Sequence, residues 1–271
     1  MRKVHEVHSF IGPGLLGNPA GVLFVKEWPE LEEMQEVATQ LAYAETAYVL
    51  KGDDGYEIRW FTPTTEVELC GHATLAAALV VFSDAPRPLD EVVFTSRFAG
   101  TIPVRRSGDR LALDFPTATL VPSTGEGLAE ALGAEPLEAF TGNSHVALFR
   151  DEQAVRALKP NFERVRELGL DGIVVTAPGR GGVDFVSRYF APHAGIPEDP
   201  VTGYAHTLLA PFWAERLGRT SLVARQVSSR GGEMRCRIEG DRVHLSGKAR
   251  RAAIKECILP SEVPIIEEVP V

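Results

Sequence analysis

Cysteine is scarce in this sequence, and the few copies present predict neither a disulfide framework nor a metal cluster. Cys70, Cys236 and Cys257 are an odd number of residues in no metal-like spacing. Small secreted proteins that depend on disulfides carry many more cysteines at regular spacings. The sparse use of cysteine therefore indicates a reducing compartment.

Long apolar runs and an excess of basic residues are also missing. The longest clear apolar run covers residues 75–82, which is far too short to span a bilayer. The first ten residues, MRKVHEVHSF, alternate instead of forming the apolar centre of a signal peptide. The net charge of −9 argues against a nucleic-acid surface, which needs clustered Lys and Arg. We therefore expect a cytoplasmic protein that binds neither nucleic acid nor membrane.

An internal repeat is the most informative feature that is present. Residues 59–77 read RWFTPTTEVELCGHATLAA, and residues 188–210 read RYFAPHAGIPEDPVTGYAHTLLA. GNPAGVLF from Gly17 and GNSHVALF from Gly142 form a second matched pair, and two Gly-Asp-Arg turns form a third. Since these pairs occur in the same order, we predict two structurally equivalent halves, residues 1–117 and 118–271. The sequence leaves open whether the tail from about residue 254 returns to the first half.

Strand-like segments surround two long apolar segments, which predicts an α+β fold. Gly71 to Phe82 is apolar on nearly every side, as is typical of a helix buried against a sheet, and Gly203 to Leu217 is its counterpart in the repeat. Residues 29–41 have an amphipathic helical pattern, and residues 152–168 are helical with a break near Pro160. Each half is therefore predicted to contain one buried helix that packs against sheet on more than one side.

The two central helices begin with matched tripeptides, Gly71-His72-Ala73 and Gly203-Tyr204-Ala205. A helix N-terminus offers unpaired N–H groups and the positive end of the helix dipole. If the halves face each other across a cleft, both starts can hold one small carboxylate. The alternative interpretation is that the glycines only permit close packing.

Eight side chains near these helix starts are candidates for moving protons. They are Glu45, Glu66, Glu68, His72, His193, Glu198, Asp199 and His206. Glu45 is the strongest candidate, because the apolar context AYAETAYV would raise the pKa of its carboxyl group. Other interpretations remain open: Glu45 can be bound to the backbone, Asp199 can cap the second helix, and His72 can be a core histidine or a proton relay.

These motifs resemble the signature stretches of the PhzF-like family, named for the isomerase of phenazine biosynthesis. The resemblance rests on ELCGHATLAA, EDPVTG-x-AH, GNPAGVLFV and AETAYV, and it covers nearly the whole chain to about residue 250. It implies an α+β fold similar to diaminopimelate epimerase, with two pseudo-symmetric domains and the active site in the cleft between them. Each domain is expected to be a mixed sheet or barrel wrapped around a central helix. It also implies a homodimer that uses no metal and no organic cofactor.

The resemblance implies roles for individual residues as well. The glutamate that shuttles the proton in the phenazine enzyme falls on Glu45, and the histidine and aspartate that line the site fall on His72 and Asp199. The substrate-binding positions, which cradle a carboxylate at the helix starts, are Gly71, Ala73, Gly203 and Tyr204. The expected function is a cofactor-independent isomerisation of a small carboxylated substrate.

The sequence departs from the family pattern in places that bear on the substrate. Tyr204 stands where the family usually has serine, and Ser144 replaces the proline of GNPH. Residues 226–237 follow the family pattern only loosely. Because a large ring replaces a small hydroxyl at the second helix start, the substrate pocket is expected to differ.

Two other functions compete with the isomerase. A protein of this fold can bind a metabolite without turning it over, and the Tyr204 change favours that alternative. A two-base racemase would use one cysteine from each half, but Thr202 stands at the position that matches Cys70. Threonine is far too weak an acid to replace a thiol, so the one-base isomerase fits the residues better.

Overall fold

The computed structural model describes residues 2–52 and 55–257. The tail beyond residue 257, part of the segment whose course the sequence left open, lies outside the described residues. The elements in chain order are β1 (Arg2–Ile11), β2 (Asn18–Val25), α1 (Leu31–Leu41), β3 (Glu45–Gly52), β4 (Gly55–Phe61), β5 (Glu66–Val67), α2 (Gly71–Asp84), β6 (Glu91–Ser96), β7 (Gly100–Ser107), β8 (Arg110–Pro116), β9 (Val121–Ser123), α3 (Leu128–Leu132), β10 (Glu138–Thr141), β11 (His145–Leu148), α4 (Glu152–Ala157), α5 (Phe162–Glu167), β12 (Ile173–Pro178), β13 (Phe185–Ala191), β14 (Ile196–Asp199), α6 (Gly203–Leu217), β15 (Ser221–Gln226), β16 (Gly232–Glu239) and β17 (Arg242–Cys257).

The described chain forms two compact units. The first contains residues 2–11, 17–52, 55–114 and 246–257, and the second contains residues 12–16 and 115–245. Residues 248–257 of β17 pair with β1 in antiparallel register, which places this return segment in the first unit. The division of the chain at residues 117 and 118 stays a prediction.

The first unit is built around α2. β2 is almost completely buried and pairs in parallel with β3, and the amphipathic helix α1 makes the connection between them. β3 pairs antiparallel with β4, β4 parallel with β6, and β6 antiparallel with β7. α2 packs against β1, β2, β3 and β6, which explains why its sequence is apolar on nearly every side.

The second unit repeats the same series of pairings. β11 and β12 are parallel, β12 and β13 antiparallel, β13 and β15 parallel, and β15 and β16 antiparallel. α6 follows β14 as α2 follows β5, and it packs against β15 and β16. Each unit thus has a mixed sheet and one buried central helix, and the predicted α+β class is confirmed.

Two helices differ from the sequence predictions, α1 and α3. α1 begins at Leu31 rather than Pro29. The predicted break near Pro160 is confirmed, because residues 152–168 form the two short helices α4 and α5 on either side of it. The helix α3 was not predicted, because its five residues are too few to show a helical period. No helix among the described residues is long and apolar enough to cross a membrane.

Candidate functional site

The start of α2 is a buried helix N-terminus without a side-chain cap. Cys70 is the N-cap residue in extended conformation, and its side chain makes no capping hydrogen bond. Gly71, His72 and Ala73 form the first turn and are all buried. This turn therefore presents backbone N–H groups and the positive end of the helix dipole.

Glu45 lies beside this helix start. It is the first residue of β3, and the parallel pairing of β2 and β3 sets it opposite Ala20. Its Oε2 atom is 3.2 Å from the Nε2 atom of His72, and the two side chains are only 12% and 3% exposed. Two candidates that are distant in sequence, Glu45 and His72, are thus brought together within the first unit.

The other ring nitrogen of His72 is held by two neighbours. Its Nδ1 atom is 3.2 Å from the Nδ2 atom of Asn18 and 3.4 Å from the Sγ atom of Cys70. The Ser9 hydroxyl donates to the backbone carbonyl of His72 at 2.8 Å. Since the Asn18 amide donates to Nδ1, the ring proton lies on Nε2, the nitrogen that faces Glu45.

The charge of His72 follows from its burial. Burial lowers the pKa of His72 to about 3, and the hydrogen bond to the Pro19 carbonyl opposes this only in part. His72 is therefore neutral at neutral pH, and Glu45 faces a neutral N–H group instead of an imidazolium ion. The pair does not act as a salt bridge.

Among the described residues, one group of possible metal ligands lies in this place. Ligand atoms of Glu45, Cys70 and His72 are within 4.8 Å of one another. Cys70 approaches Nδ1 of the imidazole, whereas Glu45 approaches Nε2.

The start of α6 is organised differently. Its N-cap residue is Thr202, again without a side-chain cap. The Thr202 hydroxyl donates to Oδ2 of Asp199, which is 5% exposed and ends β14. The Asp199 carboxylate is thus joined to the N-cap residue through the Thr202 hydroxyl, and its interpretation as a cap of this helix stays a prediction.

A buried glutamine holds this segment in place. The side chain of Gln226 accepts from the Thr202 backbone N–H at 2.9 Å and donates to the Asp199 carbonyl at 2.6 Å. Within the same unit, Gly203 is buried and Tyr204 is half-buried in the first turn of α6. The expectation that both helix starts hold one ligand stays a prediction.

The repeated arginines explain two of the other acidic candidates. Arg59 makes a two-pronged ion pair with Glu66 at 2.8 and 2.9 Å. Arg188 makes the equivalent pair with Glu198 at 2.7 and 2.9 Å. Because both carboxylate oxygens of each glutamate are bound, these residues have a structural role in the repeat.

The remaining candidates lie away from such clusters or inside the core. Glu68 and His193 are exposed. His206 is fully buried, with Nδ1 2.8 Å from the Thr202 carbonyl and Nε2 3.5 Å from the Ser187 hydroxyl. Burial lowers the pKa of His206 to about 4, so it is a neutral core histidine.

Sequence reasoning missed three residues that contact the candidates, Ser9, Asn18 and Gln226. A signal for Asn18 was available, because the Gly-Asn pair of β2 is repeated at Gly142 and Asn143. Gln226 gave no comparable signal, since its contact with Thr202 depends on how β15 and α6 pack.

Comparisons with known proteins agree with the motifs. Residues 7–254 match the PhzC-PhzF family model, described as phenazine biosynthesis-like protein. An uncharacterized isomerase of Pseudomonas aeruginosa is 46% identical over 250 residues, covering 91% of this chain and 95% of that protein. A PhzF family crystal structure from Enterococcus faecalis has a TM-score of 0.88 and 38% identity, covering 96% of this chain and all of that one.

A more distant structure shows how widely the fold is shared. A probable proline racemase from Agrobacterium radiobacter has a TM-score of 0.65 at 13% identity, covering 97% of this chain and 95% of that one. At this identity the likeness concerns the fold alone, which is of the epimerase kind. The motifs, the match over residues 7–254 and the identity to relatives agree, and the chain belongs to the PhzC-PhzF family of phenazine biosynthesis-like proteins.

Proposed function

We propose that this protein is an isomerase that moves a proton on a small carboxylated substrate, with Glu45 as the acid and base. The observation that carries the proposal is the placement of the Glu45 carboxylate 3.2 Å from a neutral, buried His72 at an uncapped helix start. Relatives in Pseudomonas aeruginosa that are named isomerases support it.

The reaction needs one base and a set of donors where negative charge develops. In the proposed reaction, Glu45 takes a proton from a carbon atom conjugated with the substrate carboxylate. The electron pair left behind spreads over the conjugated system, and Glu45, whose carboxyl proton exchanges with solvent between the two steps, returns a proton to a different carbon. Substrate and product therefore have the same composition, and the glutamate is regenerated.

The surroundings of Glu45 suit this cycle. His72 remains neutral, so its Nε2–H can donate to the carboxylate without neutralising it as a permanent ion pair would. The backbone N–H groups of Gly71, His72 and Ala73 are the donors proposed for the substrate carboxylate. For the second unit we propose that Gly203 and Tyr204 bind substrate and that Asp199, held by Thr202, lines the site.

Solvent exchange tests the role of Glu45 without knowledge of the true substrate. The protein is incubated in deuterated water with a panel of small unsaturated and amino carboxylates, and deuterium at carbon is measured by mass spectrometry. We expect exchange into at least one compound, reduced at least about a hundredfold in Glu45→Gln. The variant Glu32→Gln, which changes an exposed glutamate of α1, is the matched control.

The outcomes separate the proposal from its alternatives. Exchange that persists in Glu45→Gln would show that another group moves the proton. Binding without exchange in the unmodified protein would indicate a metabolite-binding protein instead. Loss of exchange in Cys70→Ser with Glu45 intact would favour the two-base racemase, in which a thiol is essential.

The homodimer and the cytoplasmic location stay predictions. Sedimentation velocity tests whether the protein is a homodimer.

A further inference from the structure

Two residues that depart from the family pattern, Ser144 and Tyr204, lie against each other in the second unit. Ser144 is fully buried in the turn between β10 and β11, and Tyr204 is the second residue of α6. The Ser144 hydroxyl lies near the phenols of Tyr204 and Tyr189, where burial raises the pKa of each phenol and Ser144 opposes the rise only in part. Ser144 and Tyr204 are therefore neighbours in the structure, although they are 60 positions apart in the sequence.

Both hydroxyl groups are buried and lack a partner among the described residues. The Ser144 Oγ atom and the Tyr204 Oη atom are inaccessible to solvent, yet neither has a hydrogen bond of acceptable geometry. Buried polar groups are hydrogen-bonded in the great majority of cases. Tyr189 differs, because its hydroxyl donates to the Asp171 carbonyl at 2.6 Å.

The charges around these hydroxyls indicate what kind of group they suit. The charged residues whose field acts on the phenols are Asp171, which acts on both, and Asp199, which acts on Tyr189. Two carboxylates disfavour an additional anion at this place. The N-terminal end of α6, where Tyr204 lies, disfavours a cation. A neutral group with an acceptor oxygen fits both conditions.

The phenol itself remains a donor. Burial raises the pKa of Tyr204, with a contribution from Asp171, and the nearby Ser144 and Asn143 side chains oppose the rise only in part. Tyr204 therefore keeps its proton at neutral pH and can donate it to an acceptor, as can the Ser144 hydroxyl.

We propose that Tyr204 and Ser144 form a subsite that binds a neutral oxygen substituent, a hydroxyl or keto oxygen, of the carboxylated substrate. This proposal rests on the proposed function, because it takes from it that the substrate is a carboxylate. It deepens that function, because it distinguishes hydroxylated or oxo carboxylates from plain carboxylates and from dicarboxylates.

Calorimetric binding of matched probes tests the subsite. The probes are benzoate, 3-hydroxybenzoate, 4-hydroxybenzoate, isophthalate and 3-(aminomethyl)benzoate. We expect one hydroxybenzoate to bind about fivefold more tightly than benzoate, as one added hydrogen bond allows. This ratio should fall to about one in Tyr204→Phe and in Ser144→Ala. The proposal would be overturned if the ratio were unchanged in both variants, or if none of the probes bound. It would also be overturned if isophthalate or 3-(aminomethyl)benzoate bound most tightly.

The same measurement in Glu45→Gln separates this subsite from the proton-transfer step. Binding does not require turnover, so the preference for the hydroxyl should persist in Glu45→Gln even though exchange is lost. If exchange fails in the unmodified protein while the preference is present, the proposed reaction is wrong and the subsite stands.

Thermal unfolding of the ligand-free protein gives an independent test. Hydroxyls without partners add little to stability, so Tyr204→Phe and Ser144→Ala should melt within about 2 °C of the unmodified protein, or higher. Tyr189→Phe is the matched control, because it removes a hydroxyl that is hydrogen-bonded and should lower the melting temperature by about 2–4 °C. A loss in Tyr204→Phe and Ser144→Ala as large as that of the control would show a structural role and overturn the proposal.

Discussion

The imidazole of His72 faces the carboxylate of Glu45 through its Nε2 atom, 3.2 Å from Oε2, while its Nδ1 atom faces Asn18 and Cys70. This arrangement fixes the tautomer as well as the position of the ring. Since burial lowers the pKa of His72 to about 3, the ring that faces Glu45 is neutral over the whole physiological pH range.

The buried histidine makes stability depend on pH in one direction. Its pKa is about 3 in the folded protein against 6.5 as the ordinary value, so the unfolded chain takes up the proton first as pH falls. Its contribution is fully present above about pH 6.5 and is lost as pH falls toward 3. We expect His72→Gln to reduce the slope of unfolding free energy against pH in this window by up to about 1.4 kcal/mol per pH unit.

Urea unfolding at half-unit pH steps measures this slope. The exposed residue His193 provides the control variant, His193→Gln. Equal slopes in His72→Gln and the unmodified protein would contradict the low pKa of His72.

The repeated arginines Arg59 and Arg188 differ in their hydrogen bonds to backbone carbonyls. Beyond its pair with Glu198, Arg188 donates to the carbonyls of Val155 and Leu158 at 3.1 and 3.2 Å. We expect Arg188→Lys to lower the free energy of unfolding by about 2–3 kcal/mol, because an ammonium group cannot reproduce the planar fork and its extra contacts. Arg150→Lys, at a side chain that is 81% exposed, is the control. A loss below about 0.5 kcal/mol in Arg188→Lys would contradict this account.

Gly172 lies where no side chain fits. Its φ angle is +131°, and a Cβ atom added there would be 2.2 Å from the backbone oxygen of Phe190. We expect Gly172→Ala to cost about 3 kcal/mol or more, because a backbone atom must move. Gly169 is the matched control, since it has φ +72° but no heavy atom within 4 Å of an added Cβ. Gly169→Ala should cost about 1–2 kcal/mol, and equal losses in chemical denaturation would show that the clash is relieved.

Gln226 provides the clearest test of how the start of α6 is held. In Gln226→Leu the backbone N–H of Thr202 and the carbonyl of Asp199 lose a buried partner. We expect a loss of about 2–4 kcal/mol in unfolding free energy, since each unsatisfied buried group costs about 1–3 kcal/mol. Gln153→Leu, at an exposed position of α4, should change stability by less than about 0.5 kcal/mol. Equal stability of Gln226→Leu and the unmodified protein would show that this clamp is unimportant.

Much of the fold could be predicted from the sequence, because the relevant signals are local. The all-round apolar character of residues 71–82 predicts a buried helix, the repeat predicts its counterpart at residues 203–217, and the structure has α2 and α6 at those places. The ordered repeat predicts two similar halves, and the same series of strand pairings occurs in both units. Short elements such as α3 escaped prediction because they contain too few residues to show a period.

The candidate site was only partly predictable, because its chemistry depends on contacts between distant residues. The sequence by itself determined that Glu45, Glu66 and Glu198 are acidic candidates near helix starts, but not which of them has an arginine as partner. Strand register and helix packing decided this, since they set which side chains come within hydrogen-bond distance. Arg59 and Arg188 thereby form ion pairs with Glu66 and Glu198. Glu45 instead lies beside His72, which burial keeps neutral.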